Sequence, residues 1–192
     1  EPEPEPEPEP EHPKIVFNIL ETMTVENSSY DSFVDLQIAE INFYDNDGNE
    51  IEVKYSGRPP GSKIMIDGPV DNETLEKCYD NNYSTKWYTR TEDWKDGGGW
   101  SNSSDMARGK VWFEFENIRP TKYRWWSADN HTNTGRLLKK WSTFCNWNDE
   151  EVTQDYTHSE LRNYQQYPEK TNDFFLLNEV YILPDPEPEP EP

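Results

Sequence analysis

Short apolar runs with a period of two, each stopped by Gly, Asn, Asp, Ser or Pro, constrain this chain more than any other feature. Val34–Tyr44, VDLQIAEINFY, alternates through Val34, Leu36 and Ile38, then falls out of step before Ile41 and Phe43. It ends at Asp45-Asn46-Asp47-Gly48-Asn49, a strong hairpin signal. Glu50–Tyr55 alternates again and reads as one strand. Lys14–Leu20, Lys110–Phe115, Thr121–Ala128, Arg136–Trp147 and Phe174–Leu183 complete the set of predicted strands. A helical period of 3.6 is scarce, and Glu73–Cys78 and Ser159–Tyr164 can each make only a turn or two. Many short strands joined by polar loops predict an all-β fold, a jelly-roll sandwich.

Both ends lie outside that core. Residues 1–11 and 185–192 are Glu-Pro repeats, and the sandwich is expected over 12–184. Pro removes every second backbone donor and the glutamates repel one another, so the repeats read as extended spacers. They hold ten of the acidic residues, about half of the formal net charge of −21. Repeats at both ends suggest a module strung on Glu-Pro linkers in a longer protein. No basic surface for nucleic acid is evident, and no stretch approaches the roughly 20 apolar residues of a membrane helix.

Two features point outside the cytoplasm. Five N-x-Ser/Thr sequons, at Asn27, Asn72, Asn82, Asn102 and Asn130, offer N-glycosylation sites. Cys78 and Cys145 can form one disulfide in an oxidising compartment, or stand as two free thiols.

The stretch Asp71–Tyr88, DNETLEKCYDNNYSTKWY, carries a family resemblance. It resembles the A-hydrophobic-D-G-x-x-x-T-x-W segment of discoidin-like domains, the coagulation-factor C-type members of the galactose-binding-like jelly rolls. Leu36–Ile51 is similar to that family's first core strand and turn. Val111–Phe115 with Lys122–Trp126 is similar to two paired strands of the family, and Ser127–Trp141 to a later loop and strand. The blocks together cover most of residues 34–183. The usual Asp-Gly is Asp80-Asn81 here, where Asn can take the left-handed backbone that Gly favours. Asn148–Lys170 is longer and more polar than the family's short hairpin.

The resemblance implies one structural calcium near this loop, which would draw on hard oxygens. Asp80, Asn82 and Thr85 supply side-chain oxygens, and Glu179 matches the family's distal glutamate, with Glu40 in a similar pattern on an early strand. The alternative is that Asp80 and Thr85 simply cap the turn through backbone hydrogen bonds. Asp45–Gly48 looks like half a calcium loop but lacks the downstream Glu of an EF-hand, so a hairpin turn is expected.

A sugar site commonly stacks an exposed aromatic ring on a pyranose and adds polar groups for its hydroxyls. Trp87, Trp112, Trp125 and Trp141 lie in strand-like positions and are expected to pack. Trp94, Trp100 and Trp147 lie among loop residues, with Arg90, His131 and Arg136 as polar companions; Arg58 is a further loop cation. These are the candidate ligand residues. No catalytic motif is present: the three histidines stand in unrelated contexts, and there is no nucleophile elbow or phosphate-binding loop.

These features together predict a non-catalytic, extracellular, cell-surface or virion-surface module. It would recognise carbohydrate, as glycan or glycoprotein, on a cell or matrix surface. The alternative is a structural bead of a fibre, contacting neighbouring modules of its own kind.

Overall fold

The computed structural model describes residues 12–22, 36–90, 109–128, 138–148, 151–155 and 175–177. These residues form two antiparallel sheets, in keeping with the all-β sandwich read from the sequence. In the first sheet the strand order is β4 (Tyr55–Gly57), β6 (Lys110–Glu114), β1 (Lys14–Thr22), β8 (Leu138–Cys145), β9 (Glu151–Asp155). In the second it is β10 (Phe175–Leu176), β7 (Lys122–Ser127), β2 (Leu36–Tyr44), β3 (Glu50–Ile51), with β5 (Trp87–Thr89) also paired to β2. The only helical turn among the described residues is a 3-10 turn, η1 (Leu75–Cys78).

The out-of-step pattern in β2 has a local cause. The β2–β7 register is Ile38 opposite Ser127 and then Glu40 opposite Trp126, so one extra residue, Ala39, is accommodated in β2. Such a bulge resets the side-chain parity. Leu36 and Ile38 before it and Ile41 and Phe43 after it are all buried as a result.

Aromatic residues fill the space between the sheets. Phe17 of β1 makes edge contacts with Phe43 and Tyr123 of the opposite sheet, at centroid distances of 6.3 and 5.0 Å. Trp125 meets Trp141 at 6.1 Å and 85°. Trp141 Nε1 donates to Tyr123 Oη at 2.6 Å, joining β8 to β7 through the core. Edge-to-face geometry of this kind adds to the burial of large rings.

Three strand expectations need correction. Glu50–Tyr55 is not one strand: Glu50–Ile51 pairs with β2, and the chain then crosses so that Tyr55–Gly57 pairs with β6 in the other sheet. Val111–Phe115 and Lys122–Trp126 are not partners, because β6 and β7 belong to opposite sheets. Within the polar stretch after Asn148, residues Glu151–Asp155 form a hairpin partner for β8. The Asp45–Gly48 turn closes the β2–β3 hairpin as expected, with Gly48 at φ 87° and the Asp45 carboxylate accepting from Asn49 N at 2.8 Å. Of the predicted last strand, Phe175–Leu176 is paired with β7.

Candidate functional site

The Asp80–Thr85 loop folds against the outer face of the second sheet. Leu75 and Cys78 anchor its approach, both buried on η1. Asn81 takes the left-handed backbone at φ 56°, filling the place that Gly usually takes in such turns. Asp80 then faces back into the loop. Its Oδ1 accepts from Asn82 N at 3.0 Å, and its Oδ2 from Lys77 Nζ at 3.2 Å. Thr85 Oγ1 lies 2.9 and 3.0 Å from the two Asp80 oxygens and 2.8 Å from the Asn82 carbonyl oxygen. A hydroxyl carries one proton and can satisfy only one of these acceptors at a time.

Glu40 lies under this loop. Because of the Ala39 bulge it projects from β2 on the side away from the core, and it is 1% exposed. Its Oε1 accepts the Asn81 amide at 3.2 Å, while Oε2 has no partner among the described residues. Burial raises its carboxyl to about 7, opposed by the Asn81 amide and helped by the Asp80 and Glu50 carboxylates.

Glu40, Asp80, Asn82 and Thr85 thus bring hard oxygens to one loop. One of those oxygens, Glu40 Oε2, has no donor among the described residues, while the Asp80 oxygens and the Asn82 carbonyl already accept from Asn82 N, Lys77 Nζ and Thr85 N. This donor set suits calcium, which takes carboxylate, carbonyl and hydroxyl oxygens together. The Lys77 ammonium on Asp80 opposes it, but that ion pair is partly exposed and weak. Among the described residues no group of three or more His, Cys, Asp or Glu side chains is placed to hold a metal. A cation here would therefore depend on the carbonyl and hydroxyl oxygens. The turn-capping role is present as well, since Asp80 and Asn82 each accept a backbone amide two residues on. Glu179 lies outside the described residues.

Beside the loop, the Tyr83 ring meets the Trp126 ring at 4.5 Å and 59°, with Tyr83 38% exposed. Asn42, on the same side of β2 as Glu40, donates Nδ2 to Glu50 Oε1 at 2.9 Å, and its Oδ1 has no partner among the described residues. Burial raises the Tyr83 hydroxyl, and the Glu40 and Glu50 carboxylates add to the shift. Sequence reasoning passed over Tyr83 and Trp126. The signal was present in Trp125-Trp126, since adjacent residues of a strand face opposite ways and only one of the two can enter the core.

Of the expected ligand residues, Trp94, Trp100, His131 and Arg136 lie outside the described residues. Trp147 does not stand on an open loop: it packs against the hydrophobic core just after β8, with its Nε1 buried. Arg90 is half-buried, with its carbonyl accepting the Met65 amide at 2.9 Å. The Arg58 guanidinium is used internally, donating to the Ile64 carbonyl at 2.8 Å. Trp87, Trp125 and Trp141 are in the core as expected, but Trp112 is half-buried on the outer face of the first sheet. Val111, Phe113 and Phe115 take the inward parity of that strand.

The possible disulfide is not formed. Cys78 and Cys145 are both buried and free, one on η1 and the other at the end of β8. Burial pushes the Cys145 thiol up to about 12 and the Cys78 thiol well above its ordinary value. Among the sequons, Asn72 and Asn82 are exposed, while Asn27, Asn102 and Asn130 lie outside the described residues. Among the described residues no helix is long and apolar enough to cross a membrane.

No family model matches this chain, and no curated protein or solved structure matches it either.

Proposed function

We propose that the chain is a non-catalytic carbohydrate-binding module of discoidin-like, jelly-roll type, working outside the cell on glycan or glycoprotein. The observation that carries this reading is the half-open Tyr83–Trp126 pair, set beside the exposed carboxylate of Glu50, which the buried Asn42 amide holds in place. An aromatic surface takes the apolar face of a pyranose, and planar polar groups at its edge take the hydroxyls. The loop that carries Tyr83 is the one that gathers the oxygens of Asp80, Asn82 and Thr85 over Glu40. Calcium held by these residues, with Glu179 as the ligand implied by the family resemblance, would neutralise the buried carboxylate. The chain's own residues do the recognition: Tyr83 and Trp126 form the stacking surface, Asn42 and Glu50 orient it, and Asn81 ties the loop to Glu40.

A glycan array run with calcium and with chelator tests the reading. Binding that is lost in Tyr83→Ala and Trp126→Ala supports it. An array blank under both conditions, with a folded protein, removes it.

A further inference from the structure

The outer face of the first sheet carries a row of side chains that the Tyr83 surface does not involve. Gly57 of β4, Trp112 of β6, Val16 of β1, Phe144 of β8 and Glu151 of β9 stand opposite one another in successive pairings. The row therefore crosses all five strands. Trp112 and Phe144 flank Val16 and are two strand spacings apart, about 10 Å.

Gly57 governs how the indole lies. A Cβ at Gly57 would stand 2.6 Å from Trp112 Cζ2 and 2.9 Å from Cε2, so the ring rests on the bare glycine backbone, flat along the sheet. The Lys14 ammonium is 4.8 Å from the ring centroid and 2.9 Å from Glu114 Oε2. Phe144 is 40% exposed, and Tyr55, across from Glu114, is 57% exposed.

We propose that this face is a second binding surface, and that its occupant is an extended, uncharged polysaccharide strand lying across β6, β1 and β8. The flat indole and the Phe144 ring would stack on sugars of the strand, and their separation suits two sugars of an extended chain rather than one pocketed residue. Lys14 and Glu114 neutralise each other, and the charge left in the row is the exposed Glu151 carboxylate at its β9 end, so the patch gives an anionic partner nothing to pair with. A second copy of the chain, or any anionic polymer, would meet the repulsion of a protein carrying −21. A neutral polysaccharide meets none. Displacing the Lys14 side chain from the ring breaks only a partly exposed ion pair, which is weak. This surface lies on the opposite side of the sandwich from Tyr83 and Trp126, so it does not depend on the reading of that pair.

The test is retention of the purified chain on microcrystalline cellulose and on chitin, at low and high salt. The wild type is expected to bind one of them with little salt dependence. Trp112→Ala should weaken retention roughly tenfold and Phe144→Ser several-fold, while Val70→Ala, at an exposed apolar residue that belongs to neither surface, leaves it unchanged. Gly57→Ala keeps the ring but lifts it off the backbone, and should also weaken retention even if Trp112→Ala melts early. Retention on neither polysaccharide overturns the proposal. So does equal retention by folded Trp112→Ala and Phe144→Ser. A dimer in sedimentation that Phe144→Ser dissolves would assign the face to a second copy and overturn it as well.

Discussion

The Glu40 carboxylate accepts the Asn81 amide at 3.2 Å through one oxygen and leaves the other buried with no donor among the described residues. One strand residue thereby holds the loop that carries Asp80, Tyr83 and Thr85. Burying a carboxylate with half of its hydrogen-bonding capacity unused is costly in the ionised state, and the folded protein favours its proton.

Stability should therefore fall as pH rises. The folded carboxyl titrates at about 7, against 4.5 for the ordinary group. Over that interval the folded state holds a proton that the unfolded chain has released. The contribution is full below 4.5 and lost through 7. Glu40→Gln should flatten this part of the profile and stabilise the protein at pH 8 by about 1–3 kcal/mol. Thermal melts of both proteins from pH 4 to pH 9 measure it, and parallel profiles would refute it.

Calcium should reverse that trend. A cation at the loop favours the ionised forms of Glu40 and Asp80, so melts at pH 8 should rise, by about 2.7 kcal/mol at a hundredfold excess over Kd. Asp80→Asn and Thr85→Ala should lose the increment. Calorimetry without heat and melts without a shift would leave Asp80 and Thr85 as turn caps only.

The bond from Trp141 Nε1 to Tyr123 Oη joins the two sheets in the core. Tyr123→Phe keeps the ring and strands the indole N–H, which should cost about 1–3 kcal/mol in denaturant unfolding. Trp141→Phe combined with Tyr123→Phe should cost less than the two single changes summed, since neither polar group is then left unpaired.

The two thiols should behave as core residues. Cys78 and Cys145 are free and buried, with raised pKa values. A disulfide reagent should label them in denaturant and hardly at all in the folded protein. A reductant should leave the melting temperature unchanged, and a drop of several degrees would reveal a bridge.

Much of the sandwich was legible because strand parity is a local property. Lys14–Leu20, Lys110–Phe115 and Thr121–Ala128 each fell close to the strand observed. Even the broken rhythm at Ile38–Ile41 was visible, although only pairing with β7 shows that Ala39 is the bulge. Which sheet a strand joins is not local. The Glu50–Tyr55 alternation continues smoothly while the chain changes sheets between Ile51 and Tyr55, because both sheets ask for the same period. The loop around Asp80 was singled out, and Asn81 took the backbone expected of it. The Tyr83–Trp126 contact depends on how that loop drapes over β7, which no spacing in the sequence encodes.

The pairing of β1 also shapes how the chain can be made. Ile15 stands opposite Phe113 and Cys145, about a hundred residues and more downstream. During synthesis the apolar segment Lys14–Leu20 emerges long before either partner exists. The second sheet can begin early, since β2 already has β3 and β5 at hand. The first sheet must wait for β6. Until then KIVFNIL is an unsheltered adhesive strand, and a cell that makes this protein has to keep it from foreign neighbours.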